Sequence, residues 1–209
     1  MFKRILVLAP HTDDGEFGCG ATMAKFIQAK KQVYYAAFSS AEKSLSAGLP
    51  RDTLKKEVQA ATMKLGIKAK HLILFDYEVR NFLAHRQKIL EDMVRLNREI
   101  RPDLVFLPSS KDTHQDHQVI SDEGVRAFKK VSILGYEIPW NNLSFNTNFF
   151  IFLKEKHIQK KIEALKCYKS QRDRYYANEE FIRSLARTRG TQIGTKYAEV
   201  FDAIRWVIR

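Results

Sequence analysis

Two short stretches of the chain concentrate side chains that can hold a metal ion or transfer a proton. The first, at residues 10–16, carries one histidine and three carboxylates: His11, Asp13, Asp14 and Glu16. The second, at residues 112–117, carries two histidines and two carboxylates: Asp112, His114, Asp116 and His117. The two histidines of the second stretch are three residues apart, and one helical turn places such a pair on the same side. Because imidazole and carboxylate bind Zn²⁺ and leave a position open for water, the stretches predict a catalytic metal site with three protein ligands.

Both stretches follow segments with strand character. Residues 5–9 form a continuous apolar run, which is typical of a strand buried on both faces of a sheet, and residues 104–107 form another predicted strand. In open α/β sheets, ligands bind outside the carboxyl ends of the strands. The histidines and carboxylates therefore lie where such a fold would place a ligand site.

Strand-like and helix-like segments alternate along the chain, which predicts an α/β fold. The predicted strands are residues 5–9, 33–38, 72–75, 104–107, 133–138 and 149–153. The predicted helices cover residues 21–31, 54–65, 89–100, 119–130 and the region around 158–165. We expect a three-layer Rossmann-like fold, with a mainly parallel sheet flanked by helices, in a single domain over residues 1–209.

The first stretch also allows two interpretations without a metal. Asp13 or Asp14 could cap the N-terminus of the following helix, and the histidines could be exposed polar residues. Alternatively, the glycines at 15, 18 and 20 resemble a degraded dinucleotide-binding motif, whose backbone cradles phosphate. The third glycine of that motif would fall at Met23, and the second strand does not end in an acidic residue. We therefore favour the glycines as tight-turn and close-packing positions beneath a metal-binding loop.

The motifs carry a family resemblance. Residues 10–20, PHTDDGEFGCG, resemble the A-H-P-D-D-E-x-x-G-C-G opening motif of the PIG-L/LmbE-like family of zinc-dependent N-acetylglucosaminyl deacetylases. Residues 114–117 resemble the downstream H-x-D-H element of that family, and residues 57–66 and 168–171 agree with it further. The chain departs from the family pattern at three positions, where the family usually has Pro, Glu and His: Thr12, Gly15 and Tyr168.

The resemblance implies a role for each residue of the two motifs. It implies that His11, Asp14 and His117 hold the metal, that Asp13 is the general base, and that a protonated His114 stabilises the oxyanion. The implied reaction is removal of an N-acetyl group from an amino sugar or amino-sugar conjugate by a metal-activated water. Zn²⁺ is the expected metal, and Fe²⁺ stays possible because two histidines and a carboxylate also describe non-haem iron sites.

Five further residues are expected around this centre. Asp112 or Asp116 could orient one of the ligand histidines, because metal-bound imidazoles usually donate their outer N–H to a carboxylate or carbonyl. Arg51 lies one turn before the position where the family has a substrate-binding arginine, and Tyr168 stands where a family histidine often precedes Lys-Ser-Gln. Arg189 is expected to bind substrate phosphate, because an arginine fork matches phosphate geometry.

The chain carries a strong positive charge that is concentrated near its C-terminus. Lys and Arg number 36 and Asp and Glu number 24, which gives a net charge of +12. Residues 154–209 hold 14 Lys or Arg and 7 Asp or Glu, or a net +7. Such a field attracts polyanions. Arg183, Arg187 and Arg189 could clamp the diphosphate of a sugar nucleotide, or they could form a solvated basic helix face.

Two alternatives to a deacetylase remain open. A metal-dependent phosphoesterase would suit the basic charge, although it usually needs a second metal about 3.5–4 Å from the first. A nucleic-acid-binding module would use Lys and Arg interleaved with Tyr, as in residues 168–176. No recognisable nucleic-acid-binding motif accompanies that segment, so no nucleic-acid partner is expected.

Composition sets the remaining expectations. Hydrophobic residues make up 44% and charged residues 29% of the chain, which excludes a disordered protein. No apolar run approaches the roughly 18–20 residues of a membrane span, and the two cysteines, Cys19 and Cys167, are too few for a disulfide framework. We expect a cytoplasmic enzyme without a transmembrane segment, acting on a small N-acetylated sugar, sugar nucleotide or glycolipid. The particular sugar and the oligomeric state stay open.

Overall fold

The computed structural model describes residues 2–45 and 48–208. Within them the chain forms seven strands: β1 (Arg4–Ala9), β2 (Gln32–Ala37), β3 (Leu72–Leu74), β4 (Leu104–Pro108), β5 (Ser132–Tyr136), β6 (Phe149–Leu153) and β7 (Tyr197–Arg205). It also forms six α-helices: α1 (Asp14–Gln28), α2 (Thr53–Leu65), α3 (Arg86–Ile100), α4 (Gln115–Ala127), α5 (Glu155–Leu165) and α6 (Glu179–Thr191). None of the helices in this part of the chain is both long and apolar enough to cross a membrane.

The strands build one sheet in the order β3-β2-β1-β4-β5-β7-β6. The first five are parallel, and β7 pairs antiparallel with both β5 and β6. Successive side chains of a strand point to opposite faces, so Ile5 and Val7 belong to one hydrophobic core while Leu6 and Leu8 belong to the other. Helices α1, α2, α5 and α6 cover the first face, and α3 and α4 cover the second. The predicted three-layer, mainly parallel α/β fold is confirmed.

Two elements near the C-terminus escaped prediction. Helix α6 buries a stripe of only Ile182, Ala186 and Gly190, which is too weakly apolar to mark a helix in the sequence. Strand β7 buries two carboxylates within its apolar pattern, Glu199 and Asp202. Acidic side chains normally indicate exposed positions. The sequence of β7 therefore does not show the apolar pattern of a strand that has neighbours on both sides.

Helix α1 begins at Asp14, seven residues before the predicted start, and includes the glycine-rich segment. A Cβ atom at Gly15 would lie 2.5 Å from the ring of Tyr35, and one at Gly18 would lie 2.3 Å from the ring of Tyr136. These glycines let α1 lie directly against strands β2 and β5. The close-packing interpretation is therefore correct, whereas the tight-turn interpretation is wrong because the segment is helical.

A buried ion pair supports α1 where the helix is interrupted. Cys19 leaves the helical conformation, with φ −145° and ψ 24°. Glu199 of β7 accepts hydrogen bonds from the backbone N–H groups of Ala21 at 3.2 Å and Thr22 at 2.8 Å. Lys161 of α5 donates to the backbone oxygen of Phe17 and lies 2.7 Å from the Glu199 carboxylate. The pair thus bonds backbone groups on both sides of the interruption, which would be costly to leave unpaired in the core.

Replacing Glu199 is expected to destabilise the fold strongly. Glu199→Ala leaves the Lys161 ammonium buried without its counter-charge, for which the expected loss is about 3–5 kcal/mol in the free energy of unfolding. Glu163→Ala removes a partner of the exposed Lys160 and is expected to cost less than about 1 kcal/mol. Urea unfolding followed by circular dichroism measures both variants, and equal losses would contradict the proposed support of α1.

Candidate active site

Three side chains meet at the carboxyl edge of β1 and β4, as the sequence predicts for this edge. His11 follows β1, Asp14 begins α1, and His117 lies in the first turn of α4 after β4. The Asp14 Oδ2 atom lies 3.0 Å from His11 Nδ1 and 3.2 Å from His117 Nε2, and the two nitrogens are 3.4 Å apart. The chain builds the sheet outward from β1 on one side and from β4 on the other, so the strand order reverses between these two strands. Ligands usually bind at this point in such folds.

The outer nitrogen of each histidine faces a second carboxylate. His11 Nε2 lies 3.0 Å from Asp116 Oδ2, and His117 Nδ1 lies 2.7 Å from Asp112 Oδ2. Asp112 and Asp116 are both buried. A carboxylate accepts hydrogen bonds, so it assigns the ring proton to the outer nitrogen and leaves a lone pair on the inner one. The sequence left open whether Asp112 or Asp116 faces a histidine. In the structure Asp116 faces His11 and Asp112 faces His117.

The inner atoms of this cluster fit a divalent metal ion. A tetrahedral ion bound at about 2.0–2.1 Å separates its ligand atoms by about 3.3 Å, close to the observed separations of 3.0–3.4 Å. Burial alone would lower the pKa of His117, but Asp14 and Asp112 outweigh it and raise that pKa to about 10. The same negative charges that hold a proton there attract a metal cation. His114 also offers a nitrogen within 4.8 Å of His11 and His117.

The adjacent aspartates Asp13 and Asp14 have opposite electrostatic environments. Burial, followed by the charge of Asp14, raises the pKa of Asp13 to about 6, although Arg174 opposes the rise. Burial would also raise the pKa of Asp14, but His117 and His11 outweigh it and hold that pKa well below its usual value. The Asp13 side chain makes no capping bond to α1. Asp13 is therefore the carboxylate of the pair that is suited to accept a proton.

His114 is the residue that caps a helix at this site. It precedes α4, and its Nδ1 accepts a hydrogen bond from the backbone N–H of Asp116 at 3.2 Å. Burial, together with His117 and His11, lowers the pKa of its imidazole. The accepting Nδ1 places the ring proton on Nε2. This hydrogen bond and the lowered pKa both favour a neutral ring in place of the protonated form expected for His114, because an imidazolium has no lone pair to accept this bond.

The cluster opens into a cavity of about 270 Å³ with one charged and one aromatic wall. The charged wall carries Asp13, Asp14 and the three histidines already described. The aromatic wall consists of Phe17, Trp140 and Tyr176, in which Trp140 and Tyr176 stack at 3.7 Å between ring centroids. The sequence did not single out Phe17, Trp140 or Tyr176 as site residues, because only tertiary packing collects them.

Tyr168 supports the site from below and does not line the cavity. It is buried, and its hydroxyl donates to the backbone oxygen of Thr12 at 2.7 Å. The hydroxyls of Tyr168 and Tyr35 both contact the buried carboxyl of Glu16. Burial raises the pKa of Glu16 to about 8, although the hydrogen bonds from the two tyrosines oppose the rise. The expected substrate contact by Tyr168 is therefore wrong, since the hydroxyl is used to hold the backbone of the loop.

The expected arginine contacts are also corrected by the structure. Arg189 forms a two-pronged ion pair with Glu137 and lies outside the cavity lining. Arg51 is exposed and does not line the cavity either. Arg174 lines it instead, beside Asp13. Arg174 belongs to the segment 168–176, in which basic and aromatic residues alternate. That alternation was the feature of the sequence that could have indicated a ligand-binding role for Arg174.

Comparisons with known proteins agree with this geometry. Residues 6–128 match the model of the family described as GlcNAc-PI de-N-acetylase, PIG-L. The chain is 31% identical over 174 residues to the uncharacterized deacetylase YaiS of Escherichia coli (strain K12), covering 80% of this chain and 91% of the relative. It is 24% identical over 223 residues to a diacetylchitobiose deacetylase of Thermococcus kodakarensis, covering 94% of this chain and 81% of that protein.

A solved structure shares the fold. The N,N'-diacetylchitobiose deacetylase from Pyrococcus horikoshii superposes with a TM-score of 0.81 at 21% sequence identity. The superposition covers 96% of this chain and 83% of the other. At this identity the likeness concerns the arrangement of strands and helices, which the two proteins have in common.

Metal affinity is expected to fall in two steps when the cluster is dismantled. His117→Ala removes a ligand and should abolish stoichiometric binding. Asp112→Asn removes only the charge behind His117 and should weaken binding about 10–100-fold. Asp122→Asn, at an exposed aspartate on the same helix, should leave affinity unchanged. Competition with a chelator measures all three, and full metal retention by His117→Ala would disprove the ligand assignment.

Proposed function

Because the chain belongs to the GlcNAc-PI de-N-acetylase (PIG-L) family, we propose that it is a metal-dependent hydrolase that removes the N-acetyl group from an amino sugar or amino-sugar conjugate. The observation that carries this proposal is the convergence of His11, Asp14 and His117 in one cavity. Asp13 lies beside them, and its side chain makes no capping bond to α1. The names of two relatives, both deacetylases, support the reaction class. An N-acetylated sugar is the substrate class proposed from the second of them.

The metal would be held by His11, Asp14 and His117. We propose Zn²⁺, since two nitrogens and one oxygen at these separations suit a tetrahedral ion and hydrolysis needs no redox chemistry; Fe²⁺ is the second choice. When bound, the ion lowers the pKa of water and polarises the acetamide carbonyl. Asp116 and Asp112 hold the two histidines in the required tautomer.

Asp13 and His114 would move the protons of the reaction. Asp13 takes a proton from the attacking water as the new C–O bond forms. The Nε2–H of His114 donates a hydrogen bond to the carbonyl oxygen as negative charge develops there. When the C–N bond breaks, the leaving amine needs a proton. We assign its delivery to Asp13, because a neutral His114 would become an imidazolate if it gave up its single ring proton. The products are acetate and a free amine.

The aromatic wall would bind the sugar ring. Phe17, Trp140 and Tyr176 contribute apolar rings to the same cavity as the charged groups, and the C–H faces of a sugar are apolar. The interpretation of residues 168–176 as a nucleic-acid platform is not favoured, because Tyr175 is exposed but Tyr168 is buried within the fold and Tyr176 stacks on Trp140 at the cavity. A phosphoesterase is not favoured either, since Asp112 and Asp116 face the histidines and are not free to hold a second metal.

An acetate-release screen tests the function directly. N-acetylglucosamine, diacetylchitobiose and a sugar nucleotide carrying an N-acetyl group are each incubated with the enzyme, with and without a chelator. We expect acetate from at least one of them, lost with the chelator and restored by Zn²⁺. Release that is insensitive to the chelator would contradict metal dependence, and cleavage of a phosphate ester in place of the amide would make the chain a phosphoesterase.

Replacing Asp13 should affect turnover and spare the metal. Asp13→Asn preserves the shape of the side chain but removes its basicity, so kcat is expected to fall about 100-fold or more. Asp173→Asn, at a fully exposed aspartate of the C-terminal segment, serves as the matched control and should retain full turnover. Normal turnover by Asp13→Asn would disprove the role of base. Loss of metal in that variant would make Asp13 a ligand.

A further inference from the structure

Arg174 is held at the cavity by aromatic residues. Its guanidinium donates to the hydroxyl of Tyr176 and lies 5.8 Å from the centroid of the Tyr176 ring. Tyr176 in turn stacks on Trp140. These contacts fix the cation at the rim of the aromatic wall, with the carboxylate of Asp13 among the groups that line the same cavity.

Arg174 differs from the other arginines of the basic C-terminal region that have charged partners. Arg183 pairs with Glu155 and Glu179, and Arg189 pairs with Glu137. Among residues 2–45 and 48–208, no carboxylate oxygen lies within 4 Å of the Arg174 guanidinium. Two arginines of α6 are therefore paired with carboxylates, while the cation that lines the cavity has no such partner among the described residues.

We propose that Arg174 is a specificity residue that binds an anionic oxygen group, a phosphate or a carboxylate, carried by the N-acetylated sugar. The inference rests on the proposed function, because the sugar is taken to lie against Trp140 and Tyr176. A guanidinium presents paired N–H donors that match the oxygens of either group. The bond to Tyr176 orients the fork before the ligand arrives, which reduces the entropy lost on binding.

The overall charge of the protein agrees with an anionic ligand. A net charge of +12 raises the local concentration of anions and speeds their encounter, whereas a neutral sugar gains nothing from it. Arg174 thus takes the anion-binding role that the sequence assigned to Arg189. Its alternative role is to balance the charge of Asp13, in which case it would affect neutral and anionic sugars alike.

The test compares sugars that differ only in charge. The probes are N-acetylglucosamine, its 6-phosphate, its 1-phosphate and N-acetylmuramic acid, which carries a carboxylate. Binding is followed by the fluorescence of Trp140 in a Trp206→Phe background, because Trp140 and Trp206 are the two tryptophans of the chain. Asp13→Asn in the same background is expected to slow turnover about 100-fold or more during the titration. Acetate release gives kcat/KM in the background that retains Asp13.

We expect at least one anionic sugar to bind more tightly than N-acetylglucosamine. Arg174→Gln should reduce that preference about tenfold or more, as loss of a charged hydrogen bond does, and Arg174→Lys should retain part of it. Arg172→Gln, the same charge change at an exposed neighbour, should retain all of it. The probe that binds best distinguishes a phosphate from a carboxylate.

Two outcomes would overturn the inference. One is wild-type protein that binds charged and neutral sugars equally, and the other is an Arg174→Gln variant that weakens both to the same extent. Failure of the proposed function gives a different result, because the anion preference in fluorescence would persist with no acetate released from any sugar. Acetate release without any charge preference would sustain the deacetylase and reject the role of Arg174.

Discussion

The parallel pairing of β1 with β4 is the interaction on which the site depends. Ile5, Leu6 and Val7 pair with Leu104, Val105 and Phe106, and all of them are almost completely buried between the two helical layers. Two parallel strands in register end at the same edge of the sheet. The loop after β1 and the start of α4 therefore meet there, although His11 and His117 are 106 residues apart in the sequence. The free energy that fixes this pairing comes largely from the burial of these six apolar side chains.

Charge burial imposes a second constraint on the regions around the site. Buried charges must be paired or hydrogen-bonded, and the buried charged groups around the site have such partners. Asp116 and Asp112 face the outer nitrogens of the histidines, and Lys161 with Glu199 bonds the interrupted backbone of α1. Helix α1, which carries Asp14 at its start, is thus held by side chains from α5 and β7. None of these four supporting residues lines the cavity: Asp112 and Asp116 contact the outer nitrogens of the histidines, and Lys161 and Glu199 act through α1.

The local content of the sequence was sufficient to predict most of the fold and the centre of the site. The strand predictions through β6 are correct to within about two residues, because each segment shows its own apolar period. His114 and His117 are three residues apart, so their proximity follows from helix geometry. His11 and Asp14 are brought together in the short loop that leads into α1. The loop after β1 and the start of α4 meet because parallel strands that pair end at the same edge of the sheet. The residues proposed to hold the metal could therefore be named from sequence, whereas their roles in the reaction stay predictions.

The tertiary structure decided which of the remaining polar residues reach the cavity. Tyr168 and Arg189 look like ligand-binding residues in the sequence, but partners distant along the chain, Thr12 and Glu137, occupy them. Arg174 looks like any other basic residue, yet it lacks such a carboxylate partner in the described part of the chain and lines the cavity. Strand β7 was hidden because its buried acids are satisfied only by other elements. The sequence determines local periodicity and spacing within a turn. The pairing of charges across the fold depends on which elements pack together, and this is a property of the folded chain.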